Sequence, residues 1–197
     1  VVSRALPLRI LGACLLLAVA LVALVIAEDR ARAAGREVTI AMEAVDPRDL
    51  LTGHYVALQL VQTLPPGAPC PPDLPVPGKM GWIALSPGAA GDRVTGGGAT
   101  RAEALRHGPV VLRGQAGCDA PPPATEGEAR PAAVRLELGV NRFHTDQAEA
   151  EAMDKALSAR RPGARATAFA VISAGEDGRG RLKGVILNGR RTDLTWF

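Results

Sequence analysis

The chain reads as a mainly β domain, a β-rich α+β fold with one helix of its own, carried on one N-terminal transmembrane helix. Three observations predict this class. An uninterrupted apolar run occupies residues 10–26. After it, short segments of alternating or β-branched residues recur between turn signals. One segment, from Thr145, has helical start and stop signals instead. The 197 residues suit one domain plus an appendage.

The apolar run sets the domain plan. Its 17 uncharged residues stand at the short end of the ~17–25 needed to span a bilayer. Arg4 and Arg9 precede it, and Glu28-Asp29 follow. The plan is therefore a cytoplasmic start at 1–9, a transmembrane signal anchor at 10–27, a charged linker at 28–37 and an extracytoplasmic domain at 38–197. Arg30, Arg32 and Arg36 lie after the run, so charge counting does not decide orientation. The signal-like shape favours an inside N-terminus. Ala31-Arg32-Ala33 has the form of a cleavage site. The apolar run exceeds the ~7–15 residues of a signal-peptide core, which favours an uncleaved anchor. Cys14 follows too few apolar residues for a lipoprotein box and reads as a small membrane-embedded residue.

Val38 to Met42 reads as the first strand of the domain. Asp46-Pro47-Arg48-Asp49 is a turn, because proline presets φ and Asp bonds the backbone two residues on. Gly53 follows, where close approach or positive φ is expected. From Tyr55 the pattern alternates as a strand, with Val56, Leu58 and Leu60 on one face. Prolines at 65, 66, 69, 71, 72, 75 and 77 predict an extended connecting loop. Trp82 to Leu85 is a short strand. Gly96-Gly97-Gly98 lacks the Lys-Ser/Thr sequel of a phosphate loop and reads as a flexible loop. Val110 to Gln115 and Ala132 to Leu138 are strands, separated by a second proline-rich loop. Thr145 or Asp146 caps a helix with Glu149 in capping-box position, and Arg161-Pro162-Gly163 stops it. Arg165 to Ser173, Leu182 to Leu187 and Arg190 to Leu194 form a closing meander. Asn188-Gly189 is its type I′ turn. About seven strands are expected in all.

The segment Gly53-His54-Tyr55-Val56-Ala57-Leu58-Gln59-Leu60 resembles the G-D-Y-x-x-L-x-Y signature of the GDYXXLXY protein family. His54 stands for the family Asp, and Leu60 for the last Tyr. Leu138-Gly139-Val140-Asn141-Arg142-Phe143 and residues 182–190 resemble the family as well. The resemblance implies a membrane-anchored protein without an assigned activity, accompanying a multi-pass membrane protein. It implies a bacterial cytoplasmic membrane, with the C-terminal domain in the periplasm or its equivalent. The candidate interaction surface is Asp46, Pro47, Arg48, Asp49, Gly53, His54, Tyr55 and Leu58, with Arg142 and Phe143 nearby.

The residues argue against most chemistry. Net charge is +3, and +1 once Arg4 and Arg9 are set aside, so no electrostatic footprint for nucleic acid exists. His54, His107 and His144 lack mutual metal-site spacing, and no cofactor motif is present. Cys70 and Cys118 lie in separate loops of a domain expected outside the cytoplasm. Paired, they form a disulfide worth ~2–4 kcal/mol; unpaired, they are two free thiols. The stretch from Pro47 to Val56 faintly resembles the segment after the nucleophile of signal peptidases. The nucleophile would fall near Ala44, which has no hydroxyl. A non-catalytic interaction or assembly role is therefore expected. A degenerate signal-peptidase-like or other hydrolase, and an envelope sensor of a small ligand, are the alternatives.

Overall fold

The computed structural model describes residues 5–44, 55–119, 132–140, 142–144 and 168–194. The expected turn from Asp46 to Gly53 with His54, and the expected helix from Thr145, lie outside them.

Helix α1 (Ala5–Ala34) is 30 residues long, or about 45 Å at 1.5 Å per residue. Residues Arg9–Ala34 are long and apolar enough to cross a membrane; their most apolar 18-residue window has mean hydropathy 3.1 and is not buried within the protein. Leu11, Leu15, Leu16 and Leu24 are all exposed. A helix packed on a soluble core would bury an apolar stripe; this one presents apolar side chains all round.

The expected linker at 28–37 is not a separate segment. Residues 28–34 continue α1, and β1 (Arg36–Ala44) starts one residue after Gly35. Alanines at 31, 33 and 34 favour the helix, and Arg32 pairs with Asp29 one turn back at 2.9 Å. The Gly35 amide closes the final turn on the Ala31 carbonyl. Gly35 leaves no room for a side chain: a Cβ there would overlap Ser173 Oγ and come within 2.9 Å of the Ala174 carbonyl oxygen.

The remaining strands are β2 (Tyr55–Thr63), β3 (Gly81–Ser86), β4 (Arg93–Gly98), β5 (Val110–Asp119), β6 (Ala133–Glu137), β7 (Arg142–His144), β8 (Ala168–Ala174), β9 (Gly180–Leu187) and β10 (Arg190–Asp193). The short helix α2 (Arg101–Ala104), with a capping box from Thr100 and Glu103, follows β4. The sheet order is β10-β9-β8-β1-β2-β6-β5-β3-β4, with β7 pairing β2 off this path. Among the described residues every pairing between these strands is antiparallel.

Three strands change partner along their length, and this rolls the sheet. β1 pairs β8 through residues 36–41 and β2 through 42–44. β2 pairs β1 at Leu58–Leu60 and β6 at Leu60–Thr63. β5 pairs β3 up to Gly114 and β6 from Gln115. Such switches make the corners of rolled sheets. Gly114 sits at one corner, where a Cβ would lie 2.6 Å from Leu138 Cδ2. The two halves consequently share one core. Val38, Ile40, Ile172 and Val185 come from one half; Ile83, Leu85, Leu112 and Val134 come from the other. The β3–β4 turn closes the roll on β1: Thr39 N donates to Asp92 Oδ2, and Asp92 N donates to the Thr39 carbonyl, both at 2.7 Å.

Two segments depart from expectation. The triglycine 96–98 is not a flexible loop but the buried part of β4. Glycine is a poor strand former, yet here other chain segments press on the strand. A Cβ on Gly97 would meet the Asp73 and Trp82 carbonyl oxygens at 2.7 and 2.8 Å. The first proline-rich loop is also more than a connection. It covers the open edge of β4, where Gly97 N donates to the Pro72 carbonyl at 3.0 Å. The loop is fixed to β5 by the Cys70–Cys118 disulfide, whose Cα atoms are 6.0 Å apart. Gly78 N donates to Gln115 Oε1 at 2.9 Å, a second tie to β5. An uncovered edge would recruit other strands. At the opposite end, β10 presents Arg190, Arg191 and Asp193, a charged edge with the same effect. The Asn188-Gly189 turn has φ of 50° and 83°, as a type I′ turn needs.

Candidate functional site

Two regions hold the unusual residues. The first is the end of the β1–β2 hairpin. β1 carries the chain from α1 to Ala44, about 26 Å of strand at ~3.3 Å per residue. Ala44 is opposite Leu58. Asp46, Pro47, Arg48, Asp49, Gly53 and His54 belong to the connection between these strands, outside the described residues. Tyr55, Val56 and Ala57 pair with His144, Phe143 and Arg142 of β7. The register therefore brings together two segments far apart in sequence, Tyr55 to Ala57 and Arg142 to His144, with Leu58 next along β2. Five steps along β2, from Tyr55 to Leu60, run against eight from Leu136 to His144. The surplus lies between Leu136 and Arg142, a stretch in which Gly139 takes φ of 75°. This offset is bulge-like, and bulges re-aim strands at rims and sites.

The second region lies where α1 meets the sheet, and sequence reasoning did not find it. Glu28, near the end of α1, accepts from Arg181 Nε at 2.6 Å and Nη2 at 3.3 Å. Arg181 also donates to both oxygens of Asp177, at 3.2 and 3.0 Å. Its side chain is only 10% exposed, so this is a shielded, forked contact of the stronger kind. Arg181 holds the Asp177 carboxyl below its ordinary range. Beside it, Glu37 accepts from Arg191 at 3.0 Å and from Lys183 at 2.5 Å. Arg191 also donates to Asp193 Oδ1 at 2.7 Å. The partners lie 146 to 154 residues apart, and no local pattern foretells them. Lys183 lies within residues 182–190, a segment that resembles the family.

The hydrogen bonds from Arg191, then Lys183, lower the Glu37 pKa from 4.5 to about 2. A depressed carboxylate stabilises the fold above its unfolded pKa and loses that contribution as pH falls through the folded value. The Glu37 contribution should thus be complete above pH 4.5 and vanish between 4.5 and about 2. Glu37 is 40% exposed, so solvent screening cuts it to roughly 1 kcal/mol. Urea unfolding at pH 6 and pH 3 should show Glu37→Gln less pH-sensitive than the wild type by a little over half that amount, since pH 3 lies part-way through the window. Equal pH slopes would sink the ion-pair role.

A cleft of about 560 Å³ adjoins this cluster, between Ala31 and Ala34 of α1 and the β8–β9 turn at Glu176 and Asp177. Arg36 and Arg101 also line it.

The described residues offer little for catalysis. No group of three or more His, Cys, Asp or Glu among them is placed to hold a metal ion. His107 Nε2 lies 3.2 Å from Asp73 Oδ2 on the proline-rich loop, a surface pair. The fully buried Ser173 hydroxyl has no hydrogen-bond partner, hence no base to activate it.

No curated protein and no solved structure matches the chain. A family model described as GDYXXLXY protein matches residues 17–185. The match begins within α1 and ends in β9, taking in the signature strand, β7 and both partners of the α1 clamp. On that match, which covers most of its length, the chain belongs to the GDYXXLXY protein family.

Proposed function

We propose that the protein is a single-pass membrane protein whose rolled sheet lies outside the cytoplasm. There it serves as a non-catalytic interaction or assembly subunit of a multi-pass membrane protein. One observation carries this reading: α1 passes into β1 through Gly35 alone and is clamped to the sheet by Glu28–Arg181. A signal sequence that is discarded needs no such clamp. A domain held in one pose beside a bilayer is suited to meet a neighbour in the same membrane. The Cys70–Cys118 disulfide supports the extracytoplasmic side, where such bonds persist. The signature strand paired with β7 supplies the surface, at the end of β1 away from α1.

A photo-crosslinking residue at Arg48, in native membranes, tests the role. It should capture a multi-pass membrane protein, while the same probe at Lys79, exposed on the covering loop, should not. Capture of no membrane protein by folded material, or equal capture from Lys79, would overturn it. Protease added to intact spheroplasts tests the side, and should digest the domain without lysis.

A further inference from the structure

The cleft at the foot of α1 is mixed in charge and sits at a telling depth. Arg36 and Arg101 line it, and neither makes an ion pair among the described residues. Glu176 lines it as well, equally without an ion pair there. Arg181 and Asp177, by contrast, are engaged with each other, and Arg181 also with Glu28. The wall therefore offers two uncommitted guanidinium groups and one uncommitted carboxylate. Its volume of about 560 Å³ falls in the ~300–1,000 Å³ range of small-molecule sites.

Depth follows from helix geometry. Ala27 is the last residue before the charged Glu28. At 1.5 Å per residue, Ala31 stands about 6 Å beyond it and Ala34 about 10 Å. The polar layer on each side of a bilayer is about 5–8 Å thick. The helical wall of the cleft thus spans the headgroup layer and its outer margin, on the membrane placement proposed above.

The geometry points to a site for a phospholipid headgroup that carries a primary ammonium on its phosphodiester, the chemistry of phosphatidylethanolamine. Guanidinium groups match phosphate oxygens in forked geometry, which assigns the phosphodiester to Arg36 and Arg101. Glu176 receives the ammonium and disfavours a purely anionic headgroup.

Native mass spectrometry of the full chain in mild detergent provides the test. Phosphatidylethanolamine and phosphatidylglycerol with matched acyl chains are added, with free phosphoethanolamine as a separate competitor. The wild type should retain phosphatidylethanolamine in preference to phosphatidylglycerol. The double variant Arg36→Gln/Arg101→Gln should lose retention about a hundredfold, two charge-assisted contacts at about tenfold each. Both arginines are exposed, and unchanged thermal unfolding will confirm an intact fold; Arg101→Gln alone should shift retention in the same direction. Glu176→Gln should keep an adduct but erase the headgroup preference. Equal retention of both lipids by the wild type, or unchanged retention by the double variant, would overturn the site. Displacement by equimolar phosphoethanolamine would overturn the lipid source, and show a soluble ligand instead. A wild type absent from the membrane fraction of cells would remove the anchor and this site together. One that is membrane-bound yet adduct-free would remove the site alone.

Discussion

Loss of the Cys70–Cys118 disulfide should lower the stability of the sheet domain by about 4 kcal/mol, the chain-entropy value for a loop of this length. The bond closes 48 residues of separation. It also holds the loop that covers β4. Reduction would release the Pro72 carbonyl from Gly97 N and leave that edge open. Two readouts are expected together: a lower urea midpoint with a steeper slope, because the uncrosslinked denatured chain exposes more surface, and self-association that grows with protein concentration. Cys70→Ser/Cys118→Ser should show both without reductant and respond no further to it. A wild-type midpoint indifferent to reductant, with complete reduction shown by alkylation, would refute the role given to the bond.

Gly35→Ala should cost about 2–3 kcal/mol, the upper part of the range for overpacking. The new Cβ would overlap Ser173 Oγ and press on the Ala174 carbonyl oxygen. Both belong to β8, which pairs with β1 at this point through Arg36 and Ala174. Neither backbone can yield without opening the ladder. Ser173 makes the prediction sharper. Its hydroxyl is fully buried without a partner, so Ser173→Ala alone should be neutral or stabilise by up to about 1 kcal/mol. In the double variant the hydroxyl is gone but the carbonyl remains. Gly35→Ala should then cost less by about 1 kcal/mol, a coupling expected of residues in contact. Strict additivity in urea unfolding would mean that Ser173 and Gly35 do not touch.

Much of the fold was legible because burial imposes a period of two. β1 buries Val38, Ile40 and Met42 in alternation, and β2, β3, β5, β6, β8 and β9 also lie where strands were expected. The Asn-Gly turn before β10 announces its own geometry. β4 was illegible for a definite reason. Its glycines are chosen for what presses on them, the proline-rich loop, His107 and α2, and a strand made for close approach looks like a loop by propensity. The rolling of the sheet was also hidden, since partner changes within β1, β2 and β5 leave no mark on alternation. Residues 28–34 looked like a linker because they are charged, but charge at the end of a helix is compatible with helix. Of the site, Tyr55 and Arg142-Phe143 were linked through family resemblance rather than by any physical pattern. The register then pairs their strands. The Glu28–Arg181 and Glu37–Arg191 pairs could not be read, because each joins ends of the chain that only the closed sheet brings together.

The single-residue passage at Gly35 has a mechanical corollary. A domain on a slack tether can swivel freely and hides its motions from the lipid. On the membrane placement proposed above, a sideways pull on the rolled sheet would act as torque on α1, and a tilt of α1, imposed by bilayer thickness or by a neighbour, would swing the signature end of the hairpin through an arc.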